Sequence, residues 1–306
     1  MFHHIPVLLR EAVEGLAVLP NGLYVDGTLG GGGHSEAILG RGARVIGIDR
    51  DQEALAASTE RLARFGGRFT GIHGNFHDMK ALLGDAGDVD GILLDLGVSS
   101  HQLDTEVRGF SYHGDAPLDM RMDRRQGLTA REILNTWDEK EIARTLLAYG
   151  DEKWAARIAR IILEHRAQSA LETTADLVRA VDAAIPRKIR DRDTGHPAQK
   201  TFQALRIAVN DEIDPLDAAL SDAISLLRPG GRLCMITFHS LEDRIVKRAF
   251  RRMENPCTCP GGLPICVCGN RPTVRLPVRG SIRPSAEEVR ANPRARSASL
   301  RIAERI

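Results

Sequence analysis

An acid, a threonine and four consecutive glycines lie between an apolar strand and a helix in Tyr24-Val25-Asp26-Gly27-Thr28-Leu29-Gly30-Gly31-Gly32-Gly33-His34-Ser35. Glycine tolerates positive φ and carries no Cβ, so the backbone of this turn can approach a ligand closely. The first N–H groups of the following helix lack helical partners and can bind that ligand. The stretch therefore predicts a cofactor site, although a plain tight bend would also use these glycines.

A second acid follows at a distance typical of adenosine-binding sites. Asp49 ends the apolar stretch Arg44–Asp49 and is placed to accept hydrogen bonds from ribose hydroxyls. Two common nucleotide-binding motifs do not fit. The dinucleotide motif Gly-x-Gly-x-x-Gly or Ala has no start within residues 27–33. The P-loop motif needs a lysine that reaches the phosphates, and no lysine precedes Lys80. The pattern that fits is Asp-x-Thr-x-Gly-x-Gly, which resembles the first motif of class I S-adenosylmethionine-dependent methyltransferases and is read here as Asp26, Thr28, Gly30 and Gly32.

Length and charge limit the class of protein. A chain of 306 residues exceeds the usual single domain, which predicts two domains or one core with a large insertion. The formal net charge is only +1, so any affinity for nucleic acid must come from a local patch. No apolar run is long enough to span a membrane, and the N-terminus lacks the regions of a signal peptide. We therefore expect a cytoplasmic protein with no membrane partner.

The order of apolar and helical segments predicts the architecture. Apolar runs alternate with segments of helical period at both ends of the chain, which implies a parallel sheet covered by helices. The predicted strands are residues 23–28, 44–49, 68–73, 89–96 and 232–238. Residues 104–206 show no convincing strand, but a loop-like stretch at 109–119 followed by helical segments. We therefore predict an α/β, doubly wound Rossmann-like core formed by residues 1–103 and 207–306, with an inserted helical substrate-recognition domain at 104–206. The Pro- and Arg-rich residues 257–306 are expected to loop over the surface.

Asp95, at the end of the fourth predicted strand, is the candidate catalytic residue. Ligands of open α/β sheets bind outside the carboxyl ends of the strands, near the point where the strand order reverses. A cytosine amine has its lone pair delocalised into the ring, and a hydrogen bond to a carboxylate would raise its nucleophilicity. Methyltransferases of exocyclic base amines usually carry Pro-Pro-aromatic after this position, where this chain has Leu96-Gly97-Val98. A role limited to cofactor binding or loop capping is the alternative.

Four of the five cysteines lie close together in the sequence, at Cys257, Cys259, Cys266 and Cys268. Four thiolates at this spacing could hold a structural zinc ion, although Cys-x-Cys pairs are less usual for zinc than Cys-x-x-Cys. Disulfides do not fit a reducing cytoplasm. The sequence leaves a structural zinc and a metal-free loop open and favours the loop. No catalytic metal is predicted, because a closed four-sulfur shell leaves no open position.

RNA contacts are expected from the inserted domain. Its basic groups are the run at residues 187–192, followed by His196, Lys200 and Arg206, and the cluster Arg121, Arg124 and Arg125. Such side chains could neutralise phosphates, but charge runs are more often solvated faces. Trp137 and Trp154 could stack on a splayed base, although packing in the core is the better interpretation.

Beyond the superfamily, the chain resembles the RsmH (MraW) family from residue 4 nearly to its end. The matching segments, in the same order as in the family, are residues 4–9, 26–35, 92–100 with 102–104, 108–111, 117–123, 201–207, 238–244 and 292–297. The resemblance implies a bacterial enzyme that transfers a methyl group from S-adenosylmethionine to the exocyclic N4 amine of one cytidine in the decoding region of 16S (small-subunit) ribosomal RNA.

The resemblance also implies a set of cofactor-binding residues. It assigns the methionine end to Gly32, Gly33 and His34, the ribose to Asp49, the adenine to Phe76, and closure of the site to Asp95 and Gln102. Phe76 could stack on adenine or lie in the core. Protonation of His34 is disfavoured at a helix N-terminus, so we expect a neutral hydrogen-bonding group.

The implied partner is small-subunit ribosomal RNA or the 30S particle, and the sequence allows a homodimer. Two other functions remain open: methylation of DNA or protein, and an RNA-binding module without catalysis.

Overall fold

The computed structural model describes residues 6–84, 88–190, 195–260, 265 and 267–306. Parts of three sequence features lie outside these described residues. They are His4 and Ile5 of the N-terminal segment, Asp191 and Arg192 of the basic run, and Cys266. Within the described ranges, no helix is both long and apolar enough to cross a membrane.

The chain divides into two compact units, one formed by Met1–Gly97 with Asp214–Ile306 and the other by Val98–Ile213. The sequence placed the boundaries at 103/104 and 206/207. The second boundary falls later because residues 199–210 form one uninterrupted helix, which belongs as a whole to the helical unit.

The first unit is built on a seven-stranded mixed sheet. Its strands are β1 (Leu23–Asp26), β2 (Arg44–Asp49), β3 (Phe69–His73), β4 (Val89–Asp95), β5 (Leu227–Thr237), β6 (Val274–Arg275) and β7 (Ser299–Arg305). The spatial order is β3-β2-β1-β4-β5-β7-β6. Strands β1 to β5 are parallel, and β7 runs antiparallel to both of its neighbours. The strand order reverses between β1 and β4, which is where a ligand site is expected.

Helices cover both faces of this sheet and make up the second unit. In chain order they are α1 (Leu9–Gly15), α2 (Gly33–Gly40), α3 (Gln52–Leu62), α4 (Met79–Leu83), α5 (Ser100–Asp104), α6 (Ala130–Thr136), α7 (Glu139–Gly150), α8 (Ala155–Arg166), α9 (Thr174–Ala184), α10 (Arg187–Arg190), α11 (Gln199–Asn210), α12 (Leu216–Leu226), α13 (Ser240–Glu254) and α14 (Ala286–Ala291). One face of the sheet packs against α4, α12 and α13, and the other against α1, α2 and α3. The predicted doubly wound core is confirmed.

The expectation that residues 257–306 loop over the surface is wrong for β7. This strand pairs with β5 from Thr237↔Ser299 to Arg232↔Glu304 and lies inside the sheet, between β5 and β6. Leu300 and Ala303 are fully buried. Composition obscured the strand, because the arginines before it lie in turns and short helices while its own apolar side chains enter the core.

Three helices of the second unit, α6, α7 and α9, begin where their sequences supply capping boxes. Thr129, Asp138 and Thr173 each accept a hydrogen bond from the N–H three residues later. The acid at that later position bonds back to the backbone of the cap, so two orphan N–H groups are satisfied at each start. Buried apolar side chains of α6 to α9 and α11 then form a separate core.

Asn210, at the end of α11, joins this helix to the loop that precedes α6. Its Oδ1 accepts a hydrogen bond from the Met122 N–H at 2.7 Å, and its Nδ2 donates to the Met120 carbonyl at 2.7 Å. Met120 has a φ of 61°, in the left-handed region that non-glycine residues rarely adopt. Asn210 is 1% exposed, and Met120 and Met122 are 0% and 3% exposed. Water therefore cannot easily replace the hydrogen bonds that the Asn210 side chain makes to these two backbone groups.

We predict that Asn210→Ala lowers the free energy of unfolding by about 3 kcal/mol, because it removes the side chain that hydrogen-bonds a buried N–H and a buried C=O. Urea unfolding measures this loss. Gln199→Ala, at an exposed position of the same helix, is the control and should change stability by less than about 0.5 kcal/mol. Equal midpoints for the two variants would contradict the role given to Asn210.

Candidate active site

The carboxyl ends of β1 and β4 bring a buried acid, Asp26, and a half-buried acid, Asp95, to the reversal of strand order. Asp26 ends β1, where its Oδ2 accepts a hydrogen bond from the Ser35 hydroxyl at 2.7 Å. Asp95 ends β4, and its backbone N–H donates to the Thr28 hydroxyl at 2.6 Å. The threonine and the serine of the glycine-rich stretch therefore hold the two strand ends and the start of α2 in one arrangement.

The turn between them needs its glycines for conformation and for space. Gly30 and Gly32 have φ values of 48° and 72°, where a side chain would be strained. A Cβ at Gly33 would lie 2.3 Å from Pro6 Cγ, so the segment before α1 packs directly on the turn. His34, the next residue, hydrogen-bonds the Val7 carbonyl through Nε2 at 3.1 Å.

Asp49 is tied to the same turn from the other side. Its Oδ2 accepts from the Gly30 N–H at 2.7 Å, and its Oδ1 accepts from the Asp51 N–H at 2.8 Å. Burial raises the pKa of Asp49, although these two hydrogen bonds oppose the shift. The carboxylate is thus held in one orientation beside the glycines, as a group that binds ribose hydroxyls would have to be.

The electrostatics of the site are dominated by acids. Burial raises the pKa of Asp26 to about 6. The pKa of Asp95 lies well above its ordinary value, because of burial first and then the negative charges of Asp26 and Glu242. Clustered acids with raised pKa values favour a cationic ligand, since a positive charge relieves their mutual repulsion.

Asp95 also offers an unused acceptor. Its Oδ1 is buried and has no hydrogen-bond partner among the residues that the structure describes. Its Oδ2 lies 3.8 Å from Nδ1 of His34, which brings two of the predicted site residues together. Since the Val7 carbonyl can only accept, the hydrogen of its bond with His34 must be on Nε2. A buried acceptor without a partner is a position that a bound ligand can satisfy.

The structure gives the surroundings of Phe76 and Gln102 but does not test their predicted roles toward the cofactor. Phe76 begins a short 3-10 turn after β3 and is 8% exposed. Its ring packs edge-on against the His77 ring, with the two ring centroids 4.2 Å apart. Gln102 lies in α5 of the helical unit, is 4% exposed, and forms a capping box with Ser99. Stacking of Phe76 on adenine and closure of the site by Gln102 stay predictions.

Sequence reasoning gave no role to Glu242, the acid that affects Asp95 from the start of α13. Glu242 is 1% exposed, and its Oε2 accepts a hydrogen bond from the Phe238 N–H at 2.9 Å. Its Oε1 lies 2.9 Å from Nε2 of His239. The available signal was His-x-x-Glu directly after a predicted strand, which is a capping box that points an acid back to the strand end.

Two of the basic side chains considered for RNA binding are engaged within the helical unit. Arg121 Nε donates to Asp119 at 2.7 Å, and Arg206 Nε donates to Glu212 at 2.9 Å. Phosphate binding by either guanidinium would compete with these carboxylates.

The two tryptophans pack against the core, as the sequence analysis favoured over stacking on a base. Trp137 and Trp154 are half-buried and pack against the apolar core of the helical unit. Arg187 and Lys188 of the basic run are exposed.

The strand order, the glycine-rich turn after β1 and the acids at the ends of β1, β2 and β4 together define a class I S-adenosylmethionine-dependent methyltransferase. This confirms the fold class predicted from the sequence. S-adenosylmethionine is the cofactor of the class.

More narrowly, the chain belongs to the MraW methylase family, which it matches over residues 1–306. Proteins called ribosomal RNA small subunit methyltransferase H are similar over their whole length. The one from Symbiobacterium thermophilum is 56% identical over 306 residues, covering 98% of this chain and 96% of that protein. The one from Heliobacterium modesticaldum is 55% identical over 313 residues, covering 100% and 99%. The family resemblance seen in the sequence is confirmed.

Among solved structures, an rRNA methylase from Streptococcus thermophilus aligns with 99% of this chain and 99% of its own. Its TM-score is 0.43 and its sequence identity 12%, a similarity too distant to inform individual residues.

We predict that Asp26→Asn gains stability relative to the wild type as pH rises. The folded pKa of about 6 exceeds the ordinary value of 3.8, so the favourable contribution of Asp26 is complete below about pH 4 and is lost as pH rises through about 6. Asparagine does not ionise. The difference in unfolding free energy between variant and wild type should therefore increase by about 2–3 kcal/mol from about pH 4 to about pH 7.5. Urea unfolding without cofactor measures it.

Asp243→Asn provides a control of opposite sign. Burial raises the pKa of Asp243, but hydrogen bonds and the charge of Arg301 outweigh it and leave the pKa lowered. The stability contribution of Asp243 is present above the ordinary pKa of 3.8 and is lost as pH falls through the lowered folded pKa. The stability of this variant relative to the wild type should therefore fall as pH rises from about 2 to about 4, and should change little from about pH 4 to about pH 7.5. A flat difference for Asp26→Asn would contradict the assignment of a raised pKa.

Proposed function

We propose that this protein transfers a methyl group from S-adenosylmethionine to the exocyclic N4 amine of a specific cytidine in the decoding region of 16S ribosomal RNA. The observation that carries the proposal is Asp95, a half-buried acid at the reversal of strand order whose Oδ1 atom is buried and has no partner among the described residues. An acceptor in that position is suited to an amine N–H.

The residues around the glycine turn fit the cofactor. S-adenosylmethionine carries a sulfonium and an ammonium, and the raised pKa values of Asp26 and Asp95 mark a place where positive charge is favoured. Gly32, Gly33 and His34, at the start of α2, would hold its methionine end. Asp49 would accept hydrogen bonds from the ribose, and Phe76 would lie against the adenine.

When bound, S-adenosylmethionine supplies a methyl group already activated on sulfur. The contribution of this chain is then to hold and orient the acceptor. Asp95 accepts a hydrogen bond from the amine, which weakens the delocalisation of the nitrogen lone pair and fixes the direction of that nitrogen. A cation next to Asp95 favours its charged, better-accepting form. Most of the rate enhancement would come from positioning, which can supply about 7–11 kcal/mol of a bimolecular barrier.

Ribosomal RNA is the proposed substrate because relatives at 55–56% identity over nearly their full length are named for small-subunit ribosomal RNA. This substrate also places the reaction in the cytoplasm. Exposed Arg187 and Lys188 are candidates for phosphate contacts. Nothing in the comparisons supports the homodimer that the sequence allowed.

We predict that Asp49→Asn weakens cofactor binding by about tenfold or more, because the variant exchanges a carboxylate acceptor for an amide. Isothermal titration with S-adenosylhomocysteine measures the dissociation constant. Asp222→Asn, on the solvent side of α12, is the matched control and should bind like the wild type. Wild-type affinity in Asp49→Asn would remove Asp49 from the ribose site.

We predict that Asp95→Asn lowers methyl transfer to 30S particles or naked 16S ribosomal RNA by about a hundredfold or more, because the amide is a weaker acceptor for the amine. Transfer of labelled methyl, with the modified nucleotide mapped, measures the loss, and Asp222→Asn again serves as the control. Titration with S-adenosylhomocysteine separates a role in cofactor binding from a role toward the amine. Label in DNA or protein but in neither RNA form would refute the proposed substrate.

A further inference from the structure

The connection between α13 and β6 has no apolar core of its own. Between Met253 and Val274, no described side chain is buried. Ile265 and Val267 are 75% and 76% exposed, so these two apolar side chains do not pack against the protein. Irregular connections of this length are uncommon in compact domains unless they carry a function. Something other than hydrophobic burial must hold this one together.

Three thiols converge within it. The sulfur atoms of Cys257, Cys259 and Cys268 lie within 4.8 Å of one another, although Cys268 is separated from the other two by the whole tip of the loop. Asn270 links the same two arms, because its Nδ2 donates to the Pro256 carbonyl at 3.1 Å.

The surroundings of Cys259 suit a thiolate. The backbone N–H of Val267 donates to Cys259 Sγ at 3.3 Å. Hydrogen bonds of this kind orient metal ligands and tune their basicity in metal sites. The contact also reaches across the loop, from the arm of Cys268 to the arm of Cys259, and so fixes the distance between two candidate ligands.

Zinc is the metal that this chemistry favours. Clustered thiolates in tetrahedral geometry select zinc over harder cations, with Zn–S distances of about 2.3 Å. Such a shell places the sulfurs about 3.8 Å apart. The three sulfurs would therefore need to approach by no more than about 1 Å, which an exposed loop can accommodate. A disulfide would unite only two of the three.

We propose that Cys257, Cys259 and Cys268 bind one structural zinc ion that closes the loop between α13 and β6. The sequence alone favoured a metal-free loop, because Cys-x-Cys spacing is unusual for zinc. Convergence of three sulfurs from both arms is a tertiary fact that reverses this preference.

The test is the zinc content of the untagged full-length protein, purified under reducing conditions and dialysed after incubation with zinc. Elemental analysis should find about one zinc per chain in the wild type. Cys259→Ser and Cys268→Ser should each lose most of it. Cys234→Ala is the matched control, since Cys234 is buried in β5 far from the loop in sequence, and it should retain wild-type zinc.

Cobalt(II) gives a second readout that requires no catalysis. Replacement of zinc should produce thiolate-to-cobalt charge-transfer absorption and the visible bands of a tetrahedral ion in the wild type and in Cys234→Ala, but not in the two serine variants. Zinc-free wild type with no cobalt spectrum would overturn the proposal, and so would undiminished zinc in both serine variants.

Proteolysis of the wild type covers the case in which a serine variant does not fold. Chelator treatment should make the loop sensitive to protease, and added zinc should restore resistance. Protease resistance that is the same with and without the metal would contradict the closing role.

Discussion

The withdrawal from water of the Asp26 carboxyl group and of one Asp95 oxygen, at the ends of adjacent parallel strands, constrains the rest of this structure. Burying an acid costs free energy unless hydrogen bonds or opposite charge compensate. Ser35 and Thr28 compensate part of this cost at Asp26, yet its pKa remains raised, and Asp95 keeps an acceptor oxygen without a partner among the described residues. A cationic cofactor can relieve the free-energy cost that remains. The cost in stability and the capacity for binding thus arise from the same groups.

The glycine turn is held in place by contacts with the segments around it. Asp49 holds the turn through the Gly30 N–H, and the segment before α1 packs on Gly33 and accepts a hydrogen bond from His34. Three segments that are distant in sequence therefore fix one stretch of backbone. This rigidity serves a reaction in which the protein mainly positions two reactants, because misplacement by a fraction of an ångström would be costly.

The parts of the fold that could be predicted are those with a local signal. Strands β1 to β5 were found because each is an apolar run bounded by turn residues, and Asp95 and Asp49 were found because each ends such a run. Strand β7 was missed, since its short alternation lies in Pro- and Arg-rich sequence and its partner β5 lies more than 60 residues earlier. Glu242 was missed as a neighbour of Asp95, because its influence depends on how α13 follows β5.

The sequence by itself determined the fold class, the family and the positions of the candidate acids, because periodicity, turn chemistry and motif spacing are local properties of the sequence. Only the tertiary structure decided the place of β7 in the sheet, the raised pKa values at Asp26 and Asp95, and the meeting of three cysteine sulfurs in an exposed loop. Each of these depends on distances between residues far apart in sequence. Burial and Coulomb interactions act through space, so no local pattern could have predicted them.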